Sequence, residues 1–246
     1  MIKNQCITSP KASKKTASQN AELVSIILLC DSPGYRMKSY GPTSLVTIAN
    51  KKLIDIQIEA IKQSFTNFEI IMCVGFDAEK ICKYVRTKYN KTNIRLVENQ
   101  LFKNSNSCEA ARLALNNTNN NKVLLCDGNL LLNGELLSMI YNVESCVFTE
   151  SNPCVNLEVG LNLDEKNEVQ YFSFGAYRIW SEIVFFNNSE IIESFRRIIS
   201  SGDYKNKFIF EALNELIKTK HKLQCLVNSK SIKKINNIKT YHSITR

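Results

Sequence analysis

Residues 25–53 read SIILLCDSPGYRMKSYGPTSLVTIANKKL, and this stretch decides the fold. Ile26–Leu29 form a continuous apolar run, which is typical of a strand buried on both faces of a parallel sheet. The turn Cys30–Met37 follows, at the position where doubly wound α/β proteins place phosphates. Backbone N–H groups in such a turn can converge on an anion, and Arg36 adds a planar, permanently charged group. An ordinary strand and turn has the same pattern, so the stretch alone leaves both possibilities open.

Strands and helices alternate from Glu22 onward. Apolar runs predict strands, and helical periodicity predicts helices. The elements predicted after the first strand are helix 55–65, strand 69–74, helix 78–89 with Asp77 as its N-cap, strand 94–97, a helix capped by Ser105 or Asn106 and ending at Leu115, and strand 122–126 ending at Asp127. This alternation predicts a three-layer α/β/α fold around a mostly parallel sheet.

The pattern changes after about Leu132. The predicted elements of this half are strands 146–149, 157–163 and 169–177, helices 190–199 and 207–218, strands 223–227 and 232–235, and a short last helix. Hairpin-like spacings here predict antiparallel additions and therefore a mixed sheet. We expect a flexible basic arm over residues 1–20 and one domain over 21–246. Its nucleotide-binding half would span about 22–132 and its substrate-binding, mixed half about 133–246.

Composition limits the functional classes. Apolar residues make up 44% of the chain, enough for a sizeable core, and the net charge of +9 is concentrated at the two ends. Such ends could contact an acidic protein partner, but no aromatic residues are interleaved as in a nucleic-acid platform. The nine cysteines include no C-x-x-C pair, which indicates buried thiols in a reducing compartment. With no apolar run of membrane-spanning length, we expect a cytoplasmic protein whose oligomeric state does not follow from the sequence.

Six segments match, in order and spacing, the motifs of one enzyme family. They are Cys30–Met37 with Pro42–Leu45, the helix Ile54–Lys62 (IDIQIEAIK), Val74–Glu79, Glu98–Ser107, Leu124–Gly128 and Lys234–Asn237. On these motifs the chain resembles the sugar-phosphate nucleotidyltransferases, that is, the nucleoside-diphosphosugar pyrophosphorylases and the related cytidylyltransferases. The resemblance implies a glycosyltransferase-A-like, nucleotide-diphospho-sugar transferase fold over most of the chain.

The resemblance also implies an activity and a site. The enzyme would transfer a nucleotidyl group from an NTP to a sugar or alcohol phosphate, release pyrophosphate, and supply sugar-nucleotide biosynthesis. Asp127 and Asn236 would bind Mg²⁺, which prefers oxygen ligands, and Arg36 and Asp127 would be catalytic. The residues implied in nucleotide or phosphate binding are Leu29, Ser32, Gly34, Arg36, Thr43, Gly75 and Asn106.

Three substitutions depart from the family motifs. Thr43 stands where the family has a lysine, and losing a charge-assisted contact costs about 1.5–3 kcal/mol. Ser32 replaces the first glycine of the turn, and its Cβ restricts close approach to a phosphate. Asp31 replaces an alanine, and its carboxylate would repel a triphosphate unless a cation lies between them. The lysines considered as compensation are Lys38, Lys51 and Lys52.

Two other functional classes remain open. Asp31, Ser32 and Thr43 motivate a catalytically degenerate relative that binds nucleotide or builds an assembly. The segment Asp127–Asn129 keeps the first carboxylate of the Asp-x-Asp signature of glycosyltransferases, so the third possibility is a glycosyltransferase that uses a nucleotide sugar.

Overall fold

A computed structural model describes residues 22–34, 36–141, 143–153, 158–228 and 232–245. The predicted basic arm, residues 1–20, lies outside this part of the chain. Within it, no helix is both long and apolar enough to cross a membrane. The division of the domain into halves at about residue 132 stays a prediction.

In the described part of the chain, nine strands form one sheet, and two short strands form a separate hairpin. The strands of the large sheet are β1 (Val24–Cys30), β4 (Phe68–Val74), β5 (Ile94–Glu98), β6 (Val123–Asp127), β7 (Cys146–Pro153), β8 (Val159–Leu163), β9 (Val169–Phe174), β10 (Arg178–Phe186) and β11 (Gln224–Asn228). The hairpin consists of β2 (Thr47–Ile48) and β3 (Lys51–Lys52). The helices are α1 (Leu53–Ser64), α2 (Ala78–Lys88), α3 (Ser107–Leu115), α4 (Gly134–Ser138), α5 (Ser189–Ile199), α6 (Ile209–Lys218) and α7 (Ile238–Thr245).

The sheet is mixed, as predicted. Its main order is β11-β7-β10-β6-β1-β4-β5, with β8 and β9 attached through β10. Strand β1 is parallel to both β4 and β6, β4 is parallel to β5, and β10 is antiparallel to β6 and β7. The carboxyl ends of β1 and β6 therefore meet at one edge, with Leu29 paired to Asp127.

Helices cover both faces of the sheet, which confirms the three-layer architecture. All seven residues of β1 are buried, as expected of a central parallel strand. Ile26 and Leu28 face a core that includes residues of α1, α2 and α4, whereas Ile27 and Leu29 face a core that includes residues of α3, α5 and α6. Complete burial of one such aliphatic side chain contributes about 1.5–3 kcal/mol.

A smaller apolar cluster holds the C-terminal helix against the loop that follows β1. It contains the buried residues Met37, Val46, Leu53 and Ile235, with Tyr241 of α7 packed against them. The end of the described chain thus packs against the loop that follows the carboxyl end of β1.

The largest difference from the sequence prediction is β10, which the sequence patterns did not predict. Its pairing with β7 is irregular between Trp180 and Val184, and Glu182 there has a φ of 58°. A β-bulge of this kind disrupts the period-two alternation that identifies strands. The preceding predicted strand, 169–177, ends at Phe174 because Gly175 turns the chain with a φ of 67°.

One strand prediction was wrong, and one N-cap prediction was confirmed in position only. Residues 232–235 do not form a strand but contribute a single bridge between Lys234 and Leu130. Asp77 occupies the N-cap position of α2, but its backbone is left-handed and its side chain makes no cap hydrogen bond. Its carboxylate pairs instead with Lys80 at 2.6 Å.

Asp55 joins α1 to α2. Its carboxylate is buried and accepts hydrogen bonds from Tyr84 Oη (2.8 Å), Lys88 Nζ (2.7 Å) and Tyr89 Oη (2.6 Å). Burial opposes its ionisation, but the hydrogen bonds from Lys88, Tyr89 and Tyr84 outweigh burial and lower the pKa of Asp55. This carboxylate is therefore a charged anchor between two helices of the same layer.

We expect Asp55→Asn to lower the free energy of unfolding at pH 7 by about 2 kcal/mol, because charge-assisted hydrogen bonds are lost. An aspartate whose folded pKa is lowered stabilises the fold above its unfolded pKa of about 4, and this contribution disappears as the pH falls through the folded value. Urea unfolding at a series of pH values measures both effects. Glu59→Gln is the control, since the Lys51–Glu59 pair is about half exposed at both partners. Equal losses in the two variants would contradict the assignment.

Candidate active site

A cavity of about 380 Å³ opens at the carboxyl ends of β1 and β6. Five of the nine residues implied by the sequence motifs line its walls: Leu29, Ser32, Asn106, Asp127 and Asn236. These five come from four separate parts of the chain, and the fold brings them together around one cavity. Gly34, Arg36, Thr43 and Gly75 lie outside its walls.

Asp127 lies at the end of β6 and is partly exposed to the cavity. The backbone N–H of Asn129 donates to its Oδ1 at 3.2 Å. Burial and the nearby carboxylates of Glu182 and Asp31 raise the pKa of Asp127 well above its usual range, although the Asn129 N–H and Lys234 oppose this shift. Crowded carboxylates of this kind favour a bound cation.

Gly128 fixes the turn that presents Asp127. A Cβ at this position would lie 2.5 Å from Cys30 Sγ and 2.5 Å from the carbonyl oxygen of Leu29. The Gly128 N–H donates to that same Leu29 oxygen at 2.8 Å. Only glycine allows the turn to approach β1 this closely.

The C-terminal segment brings Asn236 to the cavity. Leu131 N donates to Lys233 O, and Ile235 N donates to Asn129 O, both at 2.9 Å. These antiparallel contacts attach residues 233–235 to the chain that follows Asp127. Asn236, the next residue, then lines the same cavity as Asp127.

The donor set fits Mg²⁺ held together with substrate phosphates. Asp127 offers a carboxylate and Asn236 an amide oxygen, the ligand types that this hard cation prefers. The Asn236 oxygen now accepts hydrogen bonds from Asn237 Nδ2 (2.7 Å) and Thr240 Oγ1 (3.4 Å). Among the described residues, no group of three His, Cys, Asp or Glu side chains could hold a metal by itself.

Asn106 and its neighbours place a helix N-terminus at the cavity. Asn106 is the N-cap of α3, and its Oδ1 accepts from Ser107 N at 2.9 Å, which settles the choice between Ser105 and Asn106. Ser105 and Ser107 also line the cavity. The positive end of a helix dipole favours anions such as phosphates.

Thr43 stabilises the turn that follows β1. Gly34 takes a left-handed conformation with a φ of 72°, and its N–H donates to Ser32 Oγ at 3.3 Å. The buried Thr43 donates its hydroxyl to Pro33 O at 3.2 Å. Arg36 is exposed and has a φ of 57°. The motifs implied four residues in or next to this turn, namely Ser32, Gly34, Arg36 and Thr43. Of these, Ser32 is the one that lines the cavity.

None of the three candidate compensating lysines lines the cavity. Lys51 pairs with Glu59 at 2.6 Å on the surface, and Lys52 donates to Leu45 O at 3.0 Å. Lys38 is exposed at the start of a short 3₁₀ turn.

Asp31 projects a second carboxylate into the cavity. It is buried, and Asn99 Nδ2 donates to its Oδ2 at 2.8 Å while also bonding Ser105 Oγ at 3.1 Å. Burial raises the pKa of Asp31, although the hydrogen bond from Asn99 opposes the shift. Gly75 allows the chain to pack closely against Asp31, since a Cβ at residue 75 would lie 2.9 Å from Asp31 Cβ and 2.7 Å from Phe102 Cβ.

Sequence patterns missed Glu182 and Lys234, which line the cavity on the β10 side. Lys234 Nζ lies 3.0 Å from Glu182 Oε1 and 3.4 Å from the carbonyl oxygen of Trp180. The available signal was the single acid inside the apolar run 178–186, RIWSEIVFF.

The cavity also has an aromatic wall. Phe174 and Phe210 meet edge to face with ring centroids 5.5 Å apart, and Phe208 stacks on Phe210 at 5.9 Å. Trp180 and Glu158 also line the cavity. Phe174 remains 58% exposed, so the wall offers apolar ring surface to a ligand.

Comparison with known proteins shows the fold. No protein-family model matches the chain, and no curated protein matches it in sequence. Among solved structures, CTP:phosphocholine cytidylyltransferase from Streptococcus pneumoniae is 22% identical with a TM-score of 0.75, over 90% of this chain and 97% of that one.

Two further solved structures are similar over nearly their whole length. A nucleoside-diphosphate-sugar pyrophosphorylase from Vibrio cholerae is 11% identical with a TM-score of 0.74, over 91% of this chain and 99% of that one. An inositol-1-phosphate CTP transferase from T. maritima is 13% identical with a TM-score of 0.71, over 89% and 94%. The expected resemblance is thus confirmed at the level of structure: the chain has the fold of the nucleotidyltransferases.

Proposed function

We propose that this protein is a Mg²⁺-dependent nucleotidyltransferase that joins a nucleotidyl group from an NTP to an alcohol or sugar phosphate. The observation that carries the proposal is the meeting of Asp127 and Asn236 at one cavity, through the pairing of residues 233–235 with residues 129–131. The fold supports it, because its solved relatives are nucleotidyltransferases. A cytoplasmic location stays a prediction.

The reaction forms one bond and breaks another at the α-phosphorus. A phosphate oxygen of the acceptor attacks this atom, the bond to the bridging oxygen of the β-phosphate breaks, and pyrophosphate leaves with the electron pair. Bound Mg²⁺ would neutralise phosphate charge, and Asp127 and Asn236 are the residues that would hold it. The N-terminus of α3 and the Ser32 hydroxyl would bind the NTP phosphates, so that positioning supplies much of the rate.

The cavity walls also favour one class of acceptor. Among the described residues, four carboxylates, those of Asp31, Asp127, Glu158 and Glu182, line the cavity against one lysine, Lys234. Both substrates bring further negative charge as phosphates, so the complex requires additional cations. One is the metal, and we propose that the other is a positively charged group on the acceptor.

The aromatic wall gives such a group a binding surface. Ring faces attract ammonium groups with about 0.5–2 kcal/mol, and Phe174, Phe208 and Phe210 line the same cavity as Glu158. The proposed acceptor is therefore the phosphate of an amino alcohol or of a quaternary-ammonium alcohol. The solved relative that acts on phosphocholine agrees with this choice.

We expect pyrophosphate release when the protein is incubated with Mg²⁺, one of the four NTPs and an acceptor phosphate. Asp127→Asn should lower kcat by about 10²–10³-fold, because it removes the charged metal ligand. Asp203→Asn is the control, since Asp203 is exposed and lies outside the cavity. A pyrophosphate-coupled assay measures the rates. Nucleotide binding without turnover would instead support the degenerate relative, and hydrolysis of a nucleotide sugar the glycosyltransferase.

We expect phosphocholine and phosphoethanolamine to react with a lower KM than glycerol 3-phosphate or glucose 1-phosphate. Phe174→Leu should raise the KM for the cationic acceptors by about 3- to 30-fold, because one ring face is lost, and should leave the KM for the NTP unchanged. Tyr177→Leu is the matched control, because Tyr177 is an exposed aromatic residue outside the cavity. Equal KM values for charged and uncharged acceptors would contradict the cationic class.

A further inference from the structure

An ion pair lies inside the cavity, between the described end of the chain and β10. Lys234 Nζ contacts Glu182 Oε1 at 3.0 Å, and their side chains are 16% and 30% exposed. Among the described residues that line the cavity, Lys234 is the one lysine or arginine. The charge that a phosphate needs from the protein is therefore concentrated in this residue.

The backbone at Glu182 is strained. Its φ of 58° belongs to the left-handed region, which costs a β-strand residue other than glycine free energy, and the register of β10 with β7 shifts at this point. Glycine would accept the same conformation without this cost. The polar contact that the structure gives the Glu182 carboxylate is the ion pair with Lys234. Bulges next to active sites commonly re-aim a side chain in this way.

Lys234 keeps one donor for a ligand. An ammonium group has three N–H donors, and the described contacts use two, to the Glu182 carboxylate and to the Trp180 carbonyl. Because Lys234 lines the cavity, its third donor is available to an anion that enters there. Glu182 and Trp180 thus fix the orientation of the lysine.

The topology assigns Lys234 to one of the two substrates. Strand β6, which ends in Asp127, lies between β1 and β10 in the sheet. The turn after β1, with Ser32, is on one side of Asp127, and Lys234, which contacts Trp180 and Glu182 of β10, is on the other. In phosphoryl transfer the attacking and leaving oxygens lie roughly in line on opposite sides of the phosphorus. If the leaving pyrophosphate lies at the turn after β1, the attacking phosphate lies on the β10 side.

We propose that Lys234 binds the phosphate of the acceptor and that Glu182 is the positioning residue that holds Lys234 for this contact. The inference rests on the proposed function and deepens it. Thr43 carries no positive charge, whereas the corresponding family residue is a lysine. In this protein the cation would be Lys234 of the C-terminal segment, and it would bind the acceptor phosphate instead of the NTP.

Steady-state kinetics with the best acceptor separate the two substrates. Lys234→Met should raise the KM for the acceptor by about 10- to 100-fold, the loss expected for a charge-assisted contact, with the KM for the NTP changed less than about twofold. Lys234→Arg should recover most of the loss. Lys51→Met is the matched control, because it breaks a surface lysine–glutamate pair and should change neither KM. An unchanged acceptor KM in Lys234→Met, or a larger effect on the NTP, would overturn the assignment.

Glu182→Gly tests positioning apart from stability. It removes the carboxylate and relieves the left-handed strain, so the thermal midpoint should stay equal or rise. The acceptor KM should nevertheless increase at least about threefold, because Lys234 loses its orienting partner. A Glu182→Gly variant with the wild-type acceptor KM would show that Glu182 has no positioning role.

Calorimetric titration with phosphocholine and with choline tests the role of Lys234 in binding, independently of whether the protein catalyses the proposed reaction. If no acceptor reacts, the proposed function fails, but the titration still decides the role of Lys234. Wild type should bind phosphocholine more tightly than choline, and Lys234→Met should weaken the binding of phosphocholine about tenfold or more and leave that of choline unchanged. Equal affinities of wild type and Lys234→Met for phosphocholine, or no binding by wild type, would overturn the inference.

Discussion

The backbone that follows Asp127 must find hydrogen-bond partners without belonging to a strand, and this requirement organises the site. Buried carbonyl and N–H groups are costly when unpaired. Gln57 Nε2 on α1 donates to Gly128 O at 3.0 Å and to Leu130 O at 2.8 Å. Asn129 O and Leu131 N pair with Ile235 N and Lys233 O near the end of the described chain. The segment 128–131 is therefore held from two distant parts of the sequence, and the same contacts place Lys234 and Asn236 beside Asp127.

The charge of the cavity differs from that of the chain as a whole. Its walls are acidic, although the chain as a whole is strongly basic, with a net charge of +9. Asp31 contributes to this, and Asn99 and Gly75 hold it in place. The hydroxyl of Thr43 is used to support the turn after β1 and does not reach the cavity. The site thus differs from the family motif in the groups that would supply positive charge. The turn after β1 supplies less of it, and the C-terminal segment, the metal and the acceptor would supply more.

Much of the fold follows from local sequence signals, whereas the far wall of the site does not. Strand β1, helix α1 and the N-cap Asn106 each have a pattern contained within a few residues, and the structure has all three. Asp127 and Asn236 could be named from motifs, but motif position alone did not separate Ser32, which lines the cavity, from Gly75, which supports Asp31 from behind. Strand β10 was missed because its bulge interrupts the alternation. Glu182 and Lys234 are far apart in sequence, so their pairing requires the folded sheet.

The distribution of cysteines has a practical consequence. Five of the seven cysteines that the structure describes are buried within the sheet or against it: Cys30 on β1, Cys73 on β4, Cys108 on α3, Cys126 on β6 and Cys146 on β7. Burial raises the pKa of each thiol, to about 12 for Cys108 and Cys146, so the nucleophilic thiolate is rare in the folded state. Alkylation of these thiols then requires local opening of the element that carries them. The labelling rates of these five thiols could therefore give the free energy of local opening at each strand or helix that carries one of them.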